Sequence, residues 1–347
     1  MAAYYRMLNE TGGVNGRKIN FISYDDGYSP PKTVEQVRRL VEQDGVLLIA
    51  SPLGTSTNSA IWHYLNLKKV PQLFVATGAT KWNDPRHYPW TMGWQPDYQS
   101  EGHAYAAYIL REKPAGRIAL LYQNDDFGKG YLKGVRDGLG NKADMVILAS
   151  GYETTDPTID SQVIAMKAAG ADVFVNTAIP KFAAQAIRKA AEIQWKPLHI
   201  LSSTGASVAV TLRAAGFENA KGIVTDLYGK DPTDPQWKDH PDMKAWNQFL
   251  DKYYPDADRA DVLAVYAYME AQALEHVLKA CGDNLTRGNV MKQAASIKDL
   301  ELGGLLPGIK LNTSATNFAP ISQLQLTRFK GETWERFGDI LSGDVGG

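Results

Sequence analysis

Two runs of small hydroxyl and glycine residues offer binding chemistry. They are Ser51-Pro52-Leu53-Gly54-Thr55-Ser56-Thr57-Asn58 and Thr77-Gly78-Ala79-Thr80-Lys81-Trp82. Each follows a short continuous apolar stretch, residues 46–50 and 72–76, that reads as a strand covered on both faces. The first runs straight into a helical pattern. Free N–H groups at a helix start, with the Thr55 and Ser56 hydroxyls, suit a carboxylate. The alternative is that these residues only cap the helix and fill the turn; two adjacent loops of one type tilt the reading toward a site. Three later loops have matching positions: 124–128, 177–180 and 202–205. There Phe127 and Ile179 would form an apolar wall, and Ser203 and Thr204 would supply neutral hydrogen-bond partners.

Other chemistries find less support. The six histidines (His63, His87, His103, His199, His240, His276) show no zinc-site helical spacing and adjoin no nucleophile-elbow motif. Gly12-Gly13-Val14-Asn15-Gly16 ends a helix, whereas a dinucleotide fingerprint opens one after a strand. Gly128-Lys129-Gly130 lacks phosphate-loop spacing, and Asp125-Asp126 has no further oxygen ligands at calcium-loop spacing, so it reads as a turn before a helix. The lone Cys281 reads as a small core hydrophobe and excludes an internal disulfide or a cysteine metal cluster. With 37 basic and 38 acidic residues, the chain has no basic excess for nucleic acid, and no apolar run approaches a membrane span. An enzyme is not expected, nor a cofactor or metal.

These loops must be held by the elements around them. Strands are expected at 18–24, 46–50, 72–76, 117–122, 145–148, 172–176, 199–202, 222–227 and 321–329. Helices of about a dozen residues alternate with them, including 101–111, 130–139, 159–169, 182–193, 243–253 and 262–280. This alternation predicts parallel sheets, and its two series predict two doubly wound α/β lobes. Trp82, Trp90, Trp94, Tyr98 and Tyr105 read either as an aromatic stacking platform or as packing onto the first lobe; Trp82 lies in the candidate loop itself.

The ordered motifs are similar to one family. They include Asn9-Glu10-Thr11-Gly12-Gly13-Val14-Asn15-Gly16-Arg17-Lys18-Ile19, the Asp25-Asp26 strand end, Ser51-Pro52-Leu53, Leu121-Tyr122-Gln123-Asn124-Asp125-Asp126-Phe127-Gly128 and Ala168-Ala169-Gly170-Ala171-Asp172. Across essentially the whole chain they resemble the type I periplasmic substrate-binding proteins of the branched-chain amino acid (Leu/Ile/Val-binding) ABC transporter family. The resemblance implies two lobes, 1–113 plus 230–317 and 114–229 plus 318–347, crossed near Lys113, Gly229 and Asn317. A ligand cleft that shuts by hinge motion lies between them. It implies that Thr55, Ser56, Gly78, Ala79 and Thr80 hold the ligand carboxylate, with Phe127 covering the ligand and Ser203 near the usual acidic partner of its amino group. It further implies a periplasmic protein, expected to be a monomer, that delivers a small carboxylate to ABC permease subunits. A ligand-sensing receptor domain of the same fold is the alternative.

Two departures carry expectations of their own. The resemblance places a strand and a loop before the helix that holds Tyr4 and Leu8, and neither they nor a leader are present. A longer precursor is therefore expected. The usual acidic partner is replaced by Ser202-Ser203-Thr204, so an apolar or aromatic acid is expected in preference to an ordinary amino acid.

Overall fold

The structure is a computed structural model that describes residues 1–342 of the 347-residue chain. The chain forms two compact units. Unit one comprises Met1–Gln95, Pro241–Ala257 and Ala264–Ser322; unit two comprises Pro96–His240, Asp258–Leu263 and the chain from Gln323.

Unit one opens with α1 (Ala2–Glu10), α2 (Pro30–Glu42), β1 (Ile49–Ala50), α3 (Thr55–Lys68), β2 (Gln72–Val75) and β3 (Thr91–Gly93). The three strands make a parallel sheet in that order, with Ile49 opposite Gln72 and Gln72 opposite Thr91. Proline at the start of α2 suits a position whose N–H has no helical acceptor. Val37 of α2 packs with Ile61 and Leu65 of α3 against Ile49 and Val70, which seats both helices on the sheet.

Residues 18–24, expected as a strand, have no ladder hydrogen bonds. The polar groups of Ile19 are met by a side chain instead: Asn9 Nδ2 donates to its carbonyl at 2.8 Å, and its N–H donates to Asn9 Oδ1 at 2.7 Å. The Phe21 ring packs on Tyr5 at 5.3 Å. Of the strand expected at 46–50, only Ile49–Ala50 pairs, because the carbonyls of Val46 and Leu47 accept from Arg287 at 2.8 and 3.2 Å.

Unit two contains α4 (Tyr98–Glu112), β4 (Ile118–Gln123), α5 (Asp126–Leu139), β5 (Val146–Tyr152), α6 (Asp160–Ala168), β6 (Val173–Thr177), α7 (Pro180–Glu192) and β7 (Leu198–Leu201). The short α8 (Arg213–Ala215) and α9 (Phe217–Ala220) precede β8 (Val224–Leu227). The chain then supplies α10 (Pro241–Tyr253), α11 (Val262–Cys281, in unit one from Ala264) and α12 (Arg287–Ala294). It closes in unit two with β9 (Gln323–Phe329) and β10 (Trp334–Ser342). The seven-stranded sheet has the order β10-β9-β8-β7-β6-β4-β5. Strands β4 to β8 run parallel, and β9 and β10 close one side antiparallel. Leu121, Phe174, Phe182, Val163 and Trp334 belong to the core beneath α6 and α7. β6 is buried throughout, and its Val173-Phe174-Val175 shows why a parallel strand covered on both faces reads as a continuous hydrophobic run.

The boundary between the first segments of the two units falls at Gln95–Pro96, upstream of the crossing expected near Lys113, and it places α4 in unit two. Glycines explain this placement. A Cβ on Gly134 of α5 would lie 2.4 Å from the Gln99 carbonyl oxygen of α4, and one on Gly102 would lie 2.7 Å from the Val135 nitrogen. The two helices therefore meet backbone to backbone.

Asp125 closes the start of α5, its Oδ1 accepting from the N–H groups of Phe127 at 3.0 Å and Gly128 at 3.3 Å. The turn reading of Asp125-Asp126 is thus the observed one. Asp125→Ala should cost about 1 kcal/mol of stability, the ordinary worth of such a cap; chemical denaturation that shows no loss would contradict this role.

Candidate functional site

In unit one the loops after β1 and β2 are laced together. The Gly54 N–H donates to the Ala76 carbonyl at 3.3 Å, the Ala76 N–H donates to the Pro52 carbonyl at 3.0 Å, and the Thr55 and Thr77 hydroxyls are bonded to each other. Gly54 stands at φ 92°, where a Cβ would lie 2.4 Å from the Tyr28 ring, so only glycine turns the chain here into α3. Beneath the loop runs a buried polar chain. Asn66 donates to Thr91, Thr91 to Gln72 and Gln72 to Asn58, at 2.8, 3.1 and 2.6 Å. Asn58 in turn donates to the Pro52 and Gly54 carbonyls at 2.8 and 2.6 Å. This network fixes the helix start relative to the sheet, as satisfied buried polar groups do.

The hydroxyls of the candidate loops therefore divide into two kinds. Thr55 and Thr57 are buried and engaged with the protein itself. Ser56 is half-buried in the first turn of α3, and its hydroxyl has no protein partner among the described residues. The first-turn N–H groups around it have no helical acceptors, by helix geometry. Gly78 and Ala79 are buried beside them, and Thr80 is exposed. Trp82 is 1% exposed, its ring edge-on to Trp62 at 5.4 Å, with the Lys81 ammonium 5.0 Å from Trp82 and 5.1 Å from Trp62. The Trp82 ring thus belongs to the packing beneath the loop.

In unit two, Phe127 is buried at the start of α5, edge-on to Tyr98 at 5.0 Å and Tyr131 at 5.7 Å. Ile179 begins α7 half-buried, its N–H donating to the Tyr152 hydroxyl at 3.0 Å. Ser203 and Thr204 are half-buried in a single 3₁₀ turn after β7. That turn abuts the loop after β6, since a Cβ on Gly205 would meet the Ala178 carbonyl oxygen at 3.3 Å.

The structure adds three residues that the sequence does not single out, Glu101, Tyr131 and Asp226. Ser203 Oγ donates to Glu101 Oε2 at 2.9 Å, and Tyr131 donates to the same oxygen at 2.6 Å. Tyr105 bridges Glu101 and Asp226. Both carboxylates are fully buried. Burial pushes Glu101 well above the ordinary carboxylate range, and the Asp226 charge adds to the rise against the hydroxyls of Tyr131 and Ser203. Burial also raises Asp226, to about 6, against its bonds from Tyr105 and Glu101. Both carboxyls are thus pushed toward their protonated forms, as two buried acids side by side must be. The Ser202-Ser203-Thr204 loop carries no carboxylate of its own, and α4 brings the Glu101 carboxylate to Ser203 from 102 residues away. The signal available in sequence was an acid and a tyrosine one turn apart, Glu101 and Tyr105, within a small-residue helix face.

A separate groove of about 580 Å³ lies in unit one between α1 and the extended segment, lined by Tyr5, Arg6, Asn9, Ile19 and Phe21 among others. None of the candidate residues lines it. Among the described residues, no cluster of three His, Cys, Asp or Glu side chains could hold a metal ion, and no helix is long and apolar enough to cross a membrane.

The chain is similar to known proteins along most of its length. It is 22% identical over 284 residues to an amino acid binding protein of Pseudomonas aeruginosa, covering 80% of this chain and 71% of that one. Against the leucine-specific-binding protein of Salmonella typhimurium it is 28% identical over 133 residues, which span 38% of this chain and about a third (35%) of that protein. The crystal structure of a branched-chain amino acid ABC transporter protein from Thermus thermophilus with bound valine superposes with a TM-score of 0.87. It shares 16% identity and covers 98% of this chain and 90% of its own, which shows a common fold. The sequence matches the periplasmic binding protein family over residues 1–333, and the chain belongs to that family.

Proposed function

We propose that this protein is the extracytoplasmic solute-binding component of an ABC importer. It holds a small organic molecule bearing a carboxylate and passes it, chemically unchanged, to membrane permease subunits. The observation that carries the reading is the start of α3. There a half-buried Ser56 with an unengaged hydroxyl stands among first-turn N–H groups, on a loop locked by Gly54 and the Asn58–Gln72 chain. Such a helix start favours an anion, and here its rigidity means that little ordering cost accompanies binding. Gly78, Ala79 and Thr80 of the neighbouring loop complete the proposed carboxylate site, and Phe127, Ile179, Ser203 and Thr204 contribute contacts from unit two. Thr55 and Trp82 act from beneath, by shaping the loops. Binding is proposed to drive a hinge movement that the permease senses. The relatives named for amino acids and the neighbour with bound valine support an amino acid or related acid as the cargo. No cofactor takes part.

A thermal-shift screen of amino acids, aromatic acids and fatty acids tests the reading, since a ligand that binds only the native state raises the melting temperature. The best binder of that screen should bind Ser56→Ala about 1–3 kcal/mol more weakly, the usual cost of losing a hydrogen bond to a buried charged group. Unchanged calorimetric affinity would move the anion site away from α3.

A further inference from the structure

Gly229-Lys230-Asp231-Pro232-Thr233-Asp234-Pro235, which follows β8, has the composition of an exposed turn. In the structure Lys230, Asp231 and Asp234 are all buried, and Asp231 is only 2% exposed. Asp231 Oδ1 accepts from the Thr233 N–H at 2.8 Å and from the Thr233 hydroxyl at 2.6 Å. Its Oδ2 is buried with no partner among the described residues. Aspartate is rarely buried without a full set of partners, because an ionised oxygen with none costs far more than a neutral one. The stretch is held down a few residues later by Trp237, which is buried in a single 3₁₀ turn. Arg336 of β10 lies 4.8 Å from the Trp237 ring and donates to Gln236 at 2.7 Å. The chain leaves this docked stretch for unit one between His240 and Pro241. The other piece of unit two inserted here, Asp258–Leu263, is joined to unit one at both ends.

We propose that Asp231 is a proton-operated latch: protonated, it lets the stretch 228–240 stay docked on unit two, and ionised, it loosens that stretch where the chain passes to unit one. Burial pushes the Asp231 carboxyl up to about 6; the bonds from Thr233 oppose the rise, and the charges of Asp234 and Asp261 add to it. Asp234 comes from the same stretch and Asp261 from the inserted piece, where its Oδ1 accepts from the Leu263 N–H at 3.0 Å. Asp258 of that piece is paired with Arg213 of α8 at 3.3 Å. Around Trp237 stand the Lys230 ammonium at 5.6 Å and the His240 ring, edge-on at 5.6 Å. The docked stretch holds the Asp231 proton more tightly than a free side chain, whose ordinary value is 3.8. The stabilisation is therefore complete below about pH 4 and lost as pH rises through about 6. From pH 5 to pH 7 the docking equilibrium should shift about tenfold toward the loosened form. The joint between the units is then stiffer in acid than near neutral pH. This stands apart from the binding reading and needs no ligand to test.

Hydrogen–deuterium exchange of the whole chain at about pH 5 and about pH 7, corrected for intrinsic exchange rates, tests it in peptides covering 228–240. Their protection should be about tenfold higher at the lower pH. Asp231→Asn keeps an oxygen for Thr233 and carries no charge, so its protection should be the same at both pH values. Histidines as a class change charge in this range, which makes His240→Gln the control; it should keep the pH dependence. Should Asp231→Asn not fold, Asp261→Asn, which removes one like charge from a half-buried turn, should reduce the dependence. The inference is overturned if protection is equal or greater at the higher pH, or if its pH dependence survives Asp231→Asn. It falls equally if His240→Gln abolishes the dependence, or if, where the first variant does not fold, Asp261→Asn leaves the dependence whole.

Discussion

Replacing Gly134 by valine is expected to lower the stability of unit two by about 3 kcal/mol, the upper part of the usual range for overpacking. A domain of this size should then melt roughly 6–12 °C lower. A Cβ at this position would lie 2.4 Å from the Gln99 carbonyl oxygen and 2.6 Å from its Cα, and both are backbone atoms that cannot rotate away. α4 and α5 would have to separate. Gly102 and Gly138 lie in the same contact, with a Cβ on Gly138 meeting His103 Cα at 2.9 Å, so nothing nearby can absorb the movement. Because α4 carries Glu101 and Tyr105 while α5 carries Phe127 and Tyr131, the separation should also weaken ligand binding. A melting temperature within about 2 °C of the parent would show that the helices are not in backbone contact.

Asp226→Asn is expected to stabilise the protein at about pH 8 and to do little at about pH 4. The native state holds this carboxyl at about 6, against 3.8 for a free side chain, so between those values the folded form binds the proton that the unfolded form has released. Stability therefore falls as pH rises from about 4 to about 6. The loss runs at about 1.4 kcal/mol for each pH unit that separates the folded and unfolded midpoints. Asparagine keeps an oxygen for Tyr105 and offers an N–H to Glu101 while removing the charge. Urea denaturation at the two pH values gives the comparison; a variant less stable than the parent at the higher pH would mean that the ionised form is the one the fold favours.

Part of unit two was legible in sequence because β4 and β6 are largely buried and α5 starts on an aspartate cap. β6, expected at 172–176, is Val173–Thr177, and the proline start of α7 and the Asp125 cap of α5 lie where turn chemistry places them. Unit one was harder to read. Residues 18–24 have the alternation of a strand, but alternation only makes a face, and a strand also needs a partner for its backbone; Asn9 takes that role for Ile19. β3, three residues long, and β10, whose pattern is broken by charged residues, carry too little periodicity to be seen.

The candidate site was legible as loops but not as a network. Hydroxyl-rich turns after strands drew attention to Thr55, Ser56 and Thr80 alike. Only the fold separates the engaged Thr55 from the unengaged Ser56 and the exposed Thr80. Trp82 stood out by its place in the loop, and its ring proves to lie against Trp62. Glu101 escaped because nothing local ties residue 101 to residue 203. Their meeting depends on the glycine-mediated seating of α4 on α5, a tertiary fact that no short motif records.

The central claim is that the protein captures a small organic acid reversibly and without altering it. Native mass spectrometry after incubation with the best binder of the thermal screen, followed by denaturation and analysis of the released molecule, tests this most directly. The account predicts one ligand per chain, at lower occupancy on Ser56→Ala, and recovered with its mass and structure intact. Saturation with no bound species, or recovery of a chemically changed product, would contradict it.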